Sequence, residues 1–126
     1  RLPEMIIDFI RTHHGNRKAE YFYRMAVKEE GVEEVNESIY TYPGPIPFSK
    51  ETAVLMMADS IEAASRSIPK PDENILSNLV DQIITGQMQS GQFDNADITL
   101  KEINQIKKIF KKMLLTIYHI RIEYPD

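Results

Sequence analysis

The sequence predicts an all-α fold of about five helices. Apolar residues recur at helical spacing in five segments. Glycines and prolines separate these segments, and several of them are preceded by residues that favour helix N-termini. No segment indicates a strand convincingly, and there is no internal repeat.

The first two helices are predicted over about residues 2–14 and 18–30. Pro3 suits a first helical turn, and the glycines Gly15 and Gly31 follow as stop signals. The apolar stripes are Leu2, Met5, Ile6, Phe9 and Ile10 in the first helix, and Tyr21, Phe22, Met25 and Ala26 in the second. Five glutamates then fall within residues 29–37, which we interpret as a solvated surface segment.

The middle of the chain is predicted to be a loop followed by a long helix. Residues 40–47 contain three prolines and a glycine, which exclude a helix there. Ser49 is a plausible N-cap for a helix over about residues 50–67. That helix is rich in alanine, which allows neighbouring elements to approach closely, and Pro69 ends it.

Two further helices are predicted over about residues 72–89 and 100–120. Asp72 is the candidate cap of the first, and Thr99 with Glu102 matches a capping box for the second. Pro125 marks the outer limit of the last helix. The stripes predicted to face inward are Ile75, Leu79, Val80 and Ile83, and then Ile103, Ile106, Phe110, Met113 and Ile117.

Composition narrows the functional classes. The 126 residues suit a single domain, and the 42% hydrophobic and 27% charged content is that of an ordinary globular protein. A net charge of −4 gives no reason to expect a nucleic-acid polymer as partner. The absence of cysteine excludes disulfides and thiolate metal sites. Because Arg1 is not an initiator Met, we expect the chain to be cut from something longer.

Two patterns carry candidate chemistry. His13 and His14 are adjacent at a helix end, either as exposed histidines near a helix C-terminus or as metal ligands. Asp59 lies in an otherwise apolar helical stretch, with Glu62 and Arg66 further along the same side. These three form either a surface charge cluster or a metal ligand beside a cation that binds phosphate. His119, near the chain end, is better explained by a structural or exposed role.

Several segments, taken in order, resemble the HD domain of PgpH-type membrane-anchored phosphodiesterases, which hydrolyse cyclic di-AMP. The similar segments are Ile10–Gly15 (IRTHHG), Tyr40–Pro47 around YPGPIP, Ala58–Ala64 (ADSIEAA), Leu79–Ile84, Thr99–Leu100 and Ile117–Pro125 (IYHIRIEYP). The resemblance covers essentially the whole chain. It implies that residues 1–126 are the C-terminal part of one HD domain, in a parent protein at the cytoplasmic side of the bacterial inner membrane.

The resemblance also implies a site. The family holds two divalent metal ions, iron or manganese, and hydrolyses a cyclic dinucleotide to its linear form. His13 and His14 match ligands of one ion and Asp59 a ligand of the other, while Arg66 is a candidate phosphate contact. The chain contains no His-Asp dipeptide and no histidine before His13, so four of the seven usual ligands are absent from it. We therefore expect the chain alone to be inactive.

Two alternatives stay open on the sequence. The chain could belong to a catalytically dead helical module that binds a nucleotide or a protein, or to an HD hydrolase acting on another phosphoester. We also expect self-association, because the apolar faces of residues 2–14 and 50–68 have no obvious cover within the chain.

Overall fold

The computed structural model describes residues 3–123, apart from the side chains at positions 20, 21 and 120–123. It contains five α-helices, α1 (Glu4–Thr12), α2 (Glu20–Glu30), α3 (Lys50–Arg66), α4 (Glu73–Gln89) and α5 (Leu100–Glu123), and a short 3-10 helix, Glu37–Tyr40. The described residues contain no strand, only a single antiparallel bridge between Lys18 and Thr41. The prediction of an all-α fold is confirmed.

The predicted helix starts are confirmed by their caps. Ser49 accepts a hydrogen bond from the Thr52 amide at 3.1 Å, and Asp72 accepts one from the Ile75 amide at 2.8 Å. Glu102 and Thr99 satisfy each other's amides at 3.0 and 3.1 Å, which completes the predicted capping box. The predicted limit at Pro125 lies outside the described residues.

The core lies between α3, α4 and α5. Its central residues are almost fully buried: Ala53, Met56, Met57, Ile61, Leu76, Val80 and Ile84, with Phe93, Ile103 and Leu114 closing it. Helix α1 packs on α3, whereas α2 contacts the 3-10 helix. The α3–α4–α5 core therefore supports the outer helices and the turn that follows α1.

The predicted inner face of α4 is partly wrong. Ile75 is 41% exposed, whereas Leu76, Val80 and Ile84 are buried. The buried set is spaced i, i+4, i+8, and Gln87 continues it at 1% exposure. Apolar residues on both sides of this line, such as Leu79 and Ile83, obscured the true face in the sequence because they are half-buried at its edge.

The predicted stripe of α5 needs a similar correction. Ile103 is buried as predicted, but Met113 and Ile117 are 52% and 39% exposed, and Leu114 is buried instead. Two polar contacts on this helix join it to α4: Lys111 to Asp81 at 3.0 Å and Lys107 to Thr85 at 3.4 Å. These two α5 lysines therefore contact α4.

Large apolar residues remain exposed on α1 and α2, and also on α5. Met5, Ile6, Ile7 and Ile10 on α1, and Phe22 and Met25 on α2, are each more than a third exposed. On α3 most apolar residues are buried or half-buried, and Leu55 and Ala63 are exposed. The expectation of a bare face over residues 50–68 is therefore wrong for most of α3, because α1 and α4 pack against it.

No helix within the described range has the length and apolar character needed to cross a membrane.

Candidate active-site cleft

The two adjacent histidines sit in a tight turn at the end of α1. His13 is the C-cap residue and keeps helical backbone angles, and the Gly15 amide donates to the Thr12 carbonyl at 2.8 Å. Gly15 has a φ of +54°, a conformation that residues with a Cβ rarely adopt. Because the helix ends here, the two imidazoles can lie close together, with ring centroids 4.0 Å apart.

A buried glutamine that is distant along the chain forms hydrogen bonds to this turn. Gln92, in the α4–α5 loop, is 1% exposed and donates through Nε2 to Asn16 Oδ1 at 2.7 Å. Its Oε1 accepts from the Asn16 amide at 3.3 Å. A Cβ added to Gly15 would lie 1.9 Å from Gln92 Oε1, so the turn and the glutamine fit only if residue 15 is glycine.

The neighbours of His13 determine which ring nitrogen carries the proton. Its Nδ1 lies 3.1 Å from the Phe9 carbonyl oxygen and 3.0 Å from that of Ile10. Carbonyl oxygens only accept hydrogen bonds, so Nδ1 must carry the proton. In the neutral ring the lone pair is then on Nε2, the arrangement that metal-binding histidines usually show.

His14 is held by an aromatic neighbour and by charge. The Tyr42 ring stacks on its imidazole, with centroids 4.3 Å apart and planes inclined by 9°. Although His14 remains partly exposed, burial lowers its pKa from the ordinary value of 6.5. The nearby His13 lowers the pKa further, and the Asp59 carboxylate opposes both effects. The neutral imidazole, which can bind a metal, is therefore favoured.

Tyr42 reaches His14 through backbone pairing of the loop with residues 17–19. The Tyr42 amide donates to the Arg17 carbonyl at 2.8 Å, and the Ala19 amide donates to the Tyr40 carbonyl at 2.5 Å. The start of the predicted proline loop is therefore part of the site. This contact could not be predicted from the sequence, which placed residues 40–47 in a loop and began a helix at about residue 18.

A cleft of about 250 Å³ opens beside the histidines. It is lined by His13, His14, Arg17, Lys18, Tyr42, Met56, Ser60 and Gln87. Two of these residues are cationic, and Lys18 also pairs with Glu37 at 2.8 Å. A cleft with imidazoles, cations and a hydroxyl is suited to an anionic ligand. The sequence reading had singled out neither cation.

Asp59 lies on α3 next to Ser60, and its carboxylate is close enough to His14 to raise the imidazole pKa. It is exposed and makes no hydrogen bond or ion pair with a residue in the described range. Among the side chains that the structure describes, no group of three or more His, Asp or Glu is arranged to hold a metal ion. The structure thus brings Asp59 near the histidines without forming a complete site.

Arg66 lies two turns beyond Asp59 and pairs with Glu62, with Nε and Oε1 3.0 Å apart. The two side chains are 63% and 55% exposed, so this is a surface ion pair. Asp59 does not join the pair, so the charge cluster considered on the sequence forms only in part. His119 is exposed near the end of α5, beside Tyr118, as expected for a residue outside the site.

Comparison with known proteins places these features in a family context. The cyclic-di-AMP phosphodiesterase PgpH of Bacillus subtilis is 41% identical over 126 residues, and that of Listeria monocytogenes is 41% identical over 125. The crystal structure of the L. monocytogenes PgpH HD domain in complex with cyclic-di-AMP superposes with a TM-score of 0.86 at 38% identity, over 93% of this chain. The chain matches part of the PgpH HD domain.

The PgpH match covers only part of each relative. The chain spans 17% of the B. subtilis and L. monocytogenes proteins and 54% of the crystallised HD domain. An uncharacterized protein of Synechocystis, slr0104, is 34% identical over 127 residues, and the chain spans 16% of it. No protein-family model matches the sequence. The resemblance noted on the sequence is confirmed.

Proposed function

We propose that this chain forms part of a metal-dependent phosphodiesterase domain that hydrolyses cyclic di-AMP to the linear dinucleotide pApA. The observation that carries the proposal is the 38% identity and TM-score of 0.86 to the HD domain that was crystallised in complex with cyclic-di-AMP. The cleft supports it independently, because two imidazoles stand beside two cations in a space suited to a phosphodiester.

The donor set fits a divalent metal ion. His13 keeps a lone pair on Nε2 because its Nδ1 is engaged by backbone carbonyls, and the pKa of His14 is lowered so that its ring stays neutral. We assign both histidines to one ion and Asp59 to a second, with iron or manganese as the metals, since imidazole and carboxylate suit these ions. When bound, such a pair of ions stabilises the charge that develops on the attacking and leaving oxygens.

The protein groups around the histidines have separate roles. Arg17 and Lys18 attract the phosphodiester electrostatically, and Tyr42 keeps the His14 ring in place through stacking. Arg66, also proposed as a phosphate contact, is engaged by Glu62 at the surface. The lining of the cleft therefore favours Arg17 and Lys18 over Arg66 for this contact.

We assign the remaining metal ligands to residues outside this chain. We also assign the membrane anchor to the parent protein. Of the seven ligands expected from the family, the chain offers three, so the 126-residue chain alone should bind manganese weakly and show no turnover. Isothermal titration with manganese and a hydrolysis assay on the chain measure both. Tight binding of two ions with turnover would contradict the assignment.

The proposed activity is tested on the complete HD domain that contains this chain. Incubation with cyclic di-AMP and manganese should produce pApA, detected by liquid chromatography, and a chelator should stop the reaction. Binding of cyclic di-AMP without hydrolysis would instead support the catalytically dead module. Hydrolysis confined to other phosphoesters would support an HD hydrolase of different specificity.

A further inference from the structure

A buried amide on α4 holds a hydroxyl at the edge of the cleft. Gln87 is 1% exposed, and its Nε2 donates to Ser60 Oγ at 2.9 Å. Both residues line the cleft that also contains His13 and His14. The other amide atom, Gln87 Oε1, is buried and has no hydrogen-bond partner within the described residues. An acceptor buried without a partner is unusual, and it leaves the contact to Ser60 as the one hydrogen bond that the described residues give this amide.

The Ser60 hydroxyl has a proton to donate. Its oxygen accepts from Gln87, and no described residue accepts the hydroxyl proton in return. Turning the Gln87 amide by 180° would let Ser60 donate to the amide oxygen, but would leave the amide N–H without an acceptor. The orientation in the structure therefore leaves the Ser60 hydroxyl as the donor that no described residue uses, whereas the turned orientation would leave the Gln87 N–H.

The surroundings of this donor favour an anionic oxygen as its acceptor. Arg17 and Lys18 line the same cleft, and the two histidines lie on it as well. A neutral donor fixed among cations suits a non-bridging phosphoryl oxygen, which accepts several hydrogen bonds at once. Ser60 is also adjacent to Asp59, so a ligand that touches Ser60 is next to the proposed metal ligands.

We propose that Ser60 donates a hydrogen bond to a phosphoryl oxygen of the bound phosphodiester, and that Gln87 is the positioning residue that fixes the Ser60 side chain. This inference rests on the proposed function and adds a substrate contact to it. Gln87 acts on the substrate only through Ser60, so the two side chains should be energetically coupled.

The test uses the complete HD domain with Ser60→Ala, Ser60→Thr, Gln87→Met and the double variant Ser60→Ala/Gln87→Met. We expect Ser60→Ala to raise KM for cyclic di-AMP about tenfold, since a hydrogen bond to a charged group is lost, with a smaller change in kcat. Ser60→Thr keeps the hydroxyl and should restore KM to near the wild-type value. The double variant should bind no worse than Ser60→Ala alone.

Metal content and a distant serine serve as controls. Each variant should retain the metal content of the wild type, and Ser67→Ala, at the exposed end of α3, should leave KM unchanged. An unchanged KM in Ser60→Ala, additive effects in the double variant, or loss of metal would overturn the proposal.

A separate arm distinguishes failure of this inference from failure of the proposed function. If the wild-type domain does not hydrolyse cyclic di-AMP, inorganic phosphate is titrated while the Gln87 side-chain amide is followed by NMR. A shift of that resonance in the wild type, lost in Ser60→Ala, supports the phosphoryl contact without any turnover. No shift in the wild type would refute it.

Discussion

Gln92 forms hydrogen bonds to Asn16 through both the oxygen and the nitrogen of its side-chain amide, although 76 positions separate the two residues. Oε1 accepts from the Asn16 backbone amide at 3.3 Å, and Nε2 donates to Asn16 Oδ1 at 2.7 Å. Gln92 also donates to the Ser90 carbonyl at 3.2 Å, which ties it to the end of α4. The α4–α5 loop thereby determines where the two histidines lie.

Replacing Gly15 with alanine tests this arrangement. The new Cβ would lie 1.9 Å from Gln92 Oε1 and would also force an alanine into a φ of +54°. We expect Gly15→Ala to reduce the free energy of unfolding by more than about 1 kcal/mol, the usual scale of a positive-φ substitution. Urea denaturation measures the loss.

The matched control is Gly31→Ala. Gly31 also has a positive φ, of +88°, but a Cβ there would have no neighbour within 4 Å. The Gly31→Ala variant should have backbone strain but no steric clash, so it should be less destabilising than Gly15→Ala. Equal losses of unfolding free energy in the two variants would show that the Gln92 side chain moves aside readily and does not fix the turn.

The pKa of His14 reports on the distance between α1 and α3. Burial and the neighbouring His13 lower it from 6.5, and Asp59 opposes the shift. An NMR titration should therefore find His14 below 6.5, and Asp59→Asn should lower the value further. An unchanged His14 pKa in Asp59→Asn would mean that the carboxylate is too far away to share a site with it.

The same shift gives a pH dependence of stability. Because the folded pKa of His14 is below its unfolded value, the unfolded state takes up the proton first as the pH falls. His14 should therefore leave stability unaffected above about pH 6.5 and reduce it as the pH falls through the window below. The difference in unfolding free energy between the wild type and His14→Gln should be constant above that window and should change with pH within it.

The corrected face of α4 can be tested with two isoleucines on one helix. Ile84 is 0% exposed in the core, whereas Ile75 is 41% exposed. Ile84→Ala should lower the free energy of unfolding by about 2–5 kcal/mol, the range for isoleucine truncation in a core. Ile75→Ala should cost less than about 1 kcal/mol. A larger loss of stability in Ile75→Ala than in Ile84→Ala would instead support the inner face of α4 that was predicted from the sequence.

Self-association remains a prediction, and the exposed apolar residues of α1 and α2 are one candidate contact surface for it. Met5, Ile6 and Ile10 are 51%, 44% and 55% exposed, and Phe22 is 62% exposed. An apolar surface of this kind is rare on a stable monomer. Light scattering of the 126-residue chain should show oligomers that Ile6→Lys/Ile10→Lys reduces. A monodisperse, folded monomer of the wild-type chain would contradict the prediction.

The sequence predicted the helices better than the site. Caps at Ser49, Asp72 and Thr99 are local, since each bonds an amide three residues away, and all three were correct. The inner face of α4 was misplaced because apolar residues lie on both sides of it. These errors concern packing between helices, which a periodic pattern only approximates.

The polar parts of the site depend on contacts between distant segments. His13, His14 and Asp59 stood out by residue type and by the resemblance. Gln87 and Gln92 did not, since a glutamine in a polar stretch carries no sign that it will be buried. Their partners Ser60 and Asn16 lie 27 and 76 positions away, and only the folded chain brings them together.

The measurement that tests the central claim most directly is metal content together with cyclic di-AMP hydrolysis in the complete HD domain, for the wild type, His13→Ala, His14→Ala and His119→Ala. The wild type and His119→Ala should hold two ions per domain and produce pApA. His13→Ala and His14→Ala should each lose one ion and most of the hydrolysis, because a missing imidazole leaves the site open. Two ions and full turnover in His13→Ala or His14→Ala would show that the metal centre lies elsewhere.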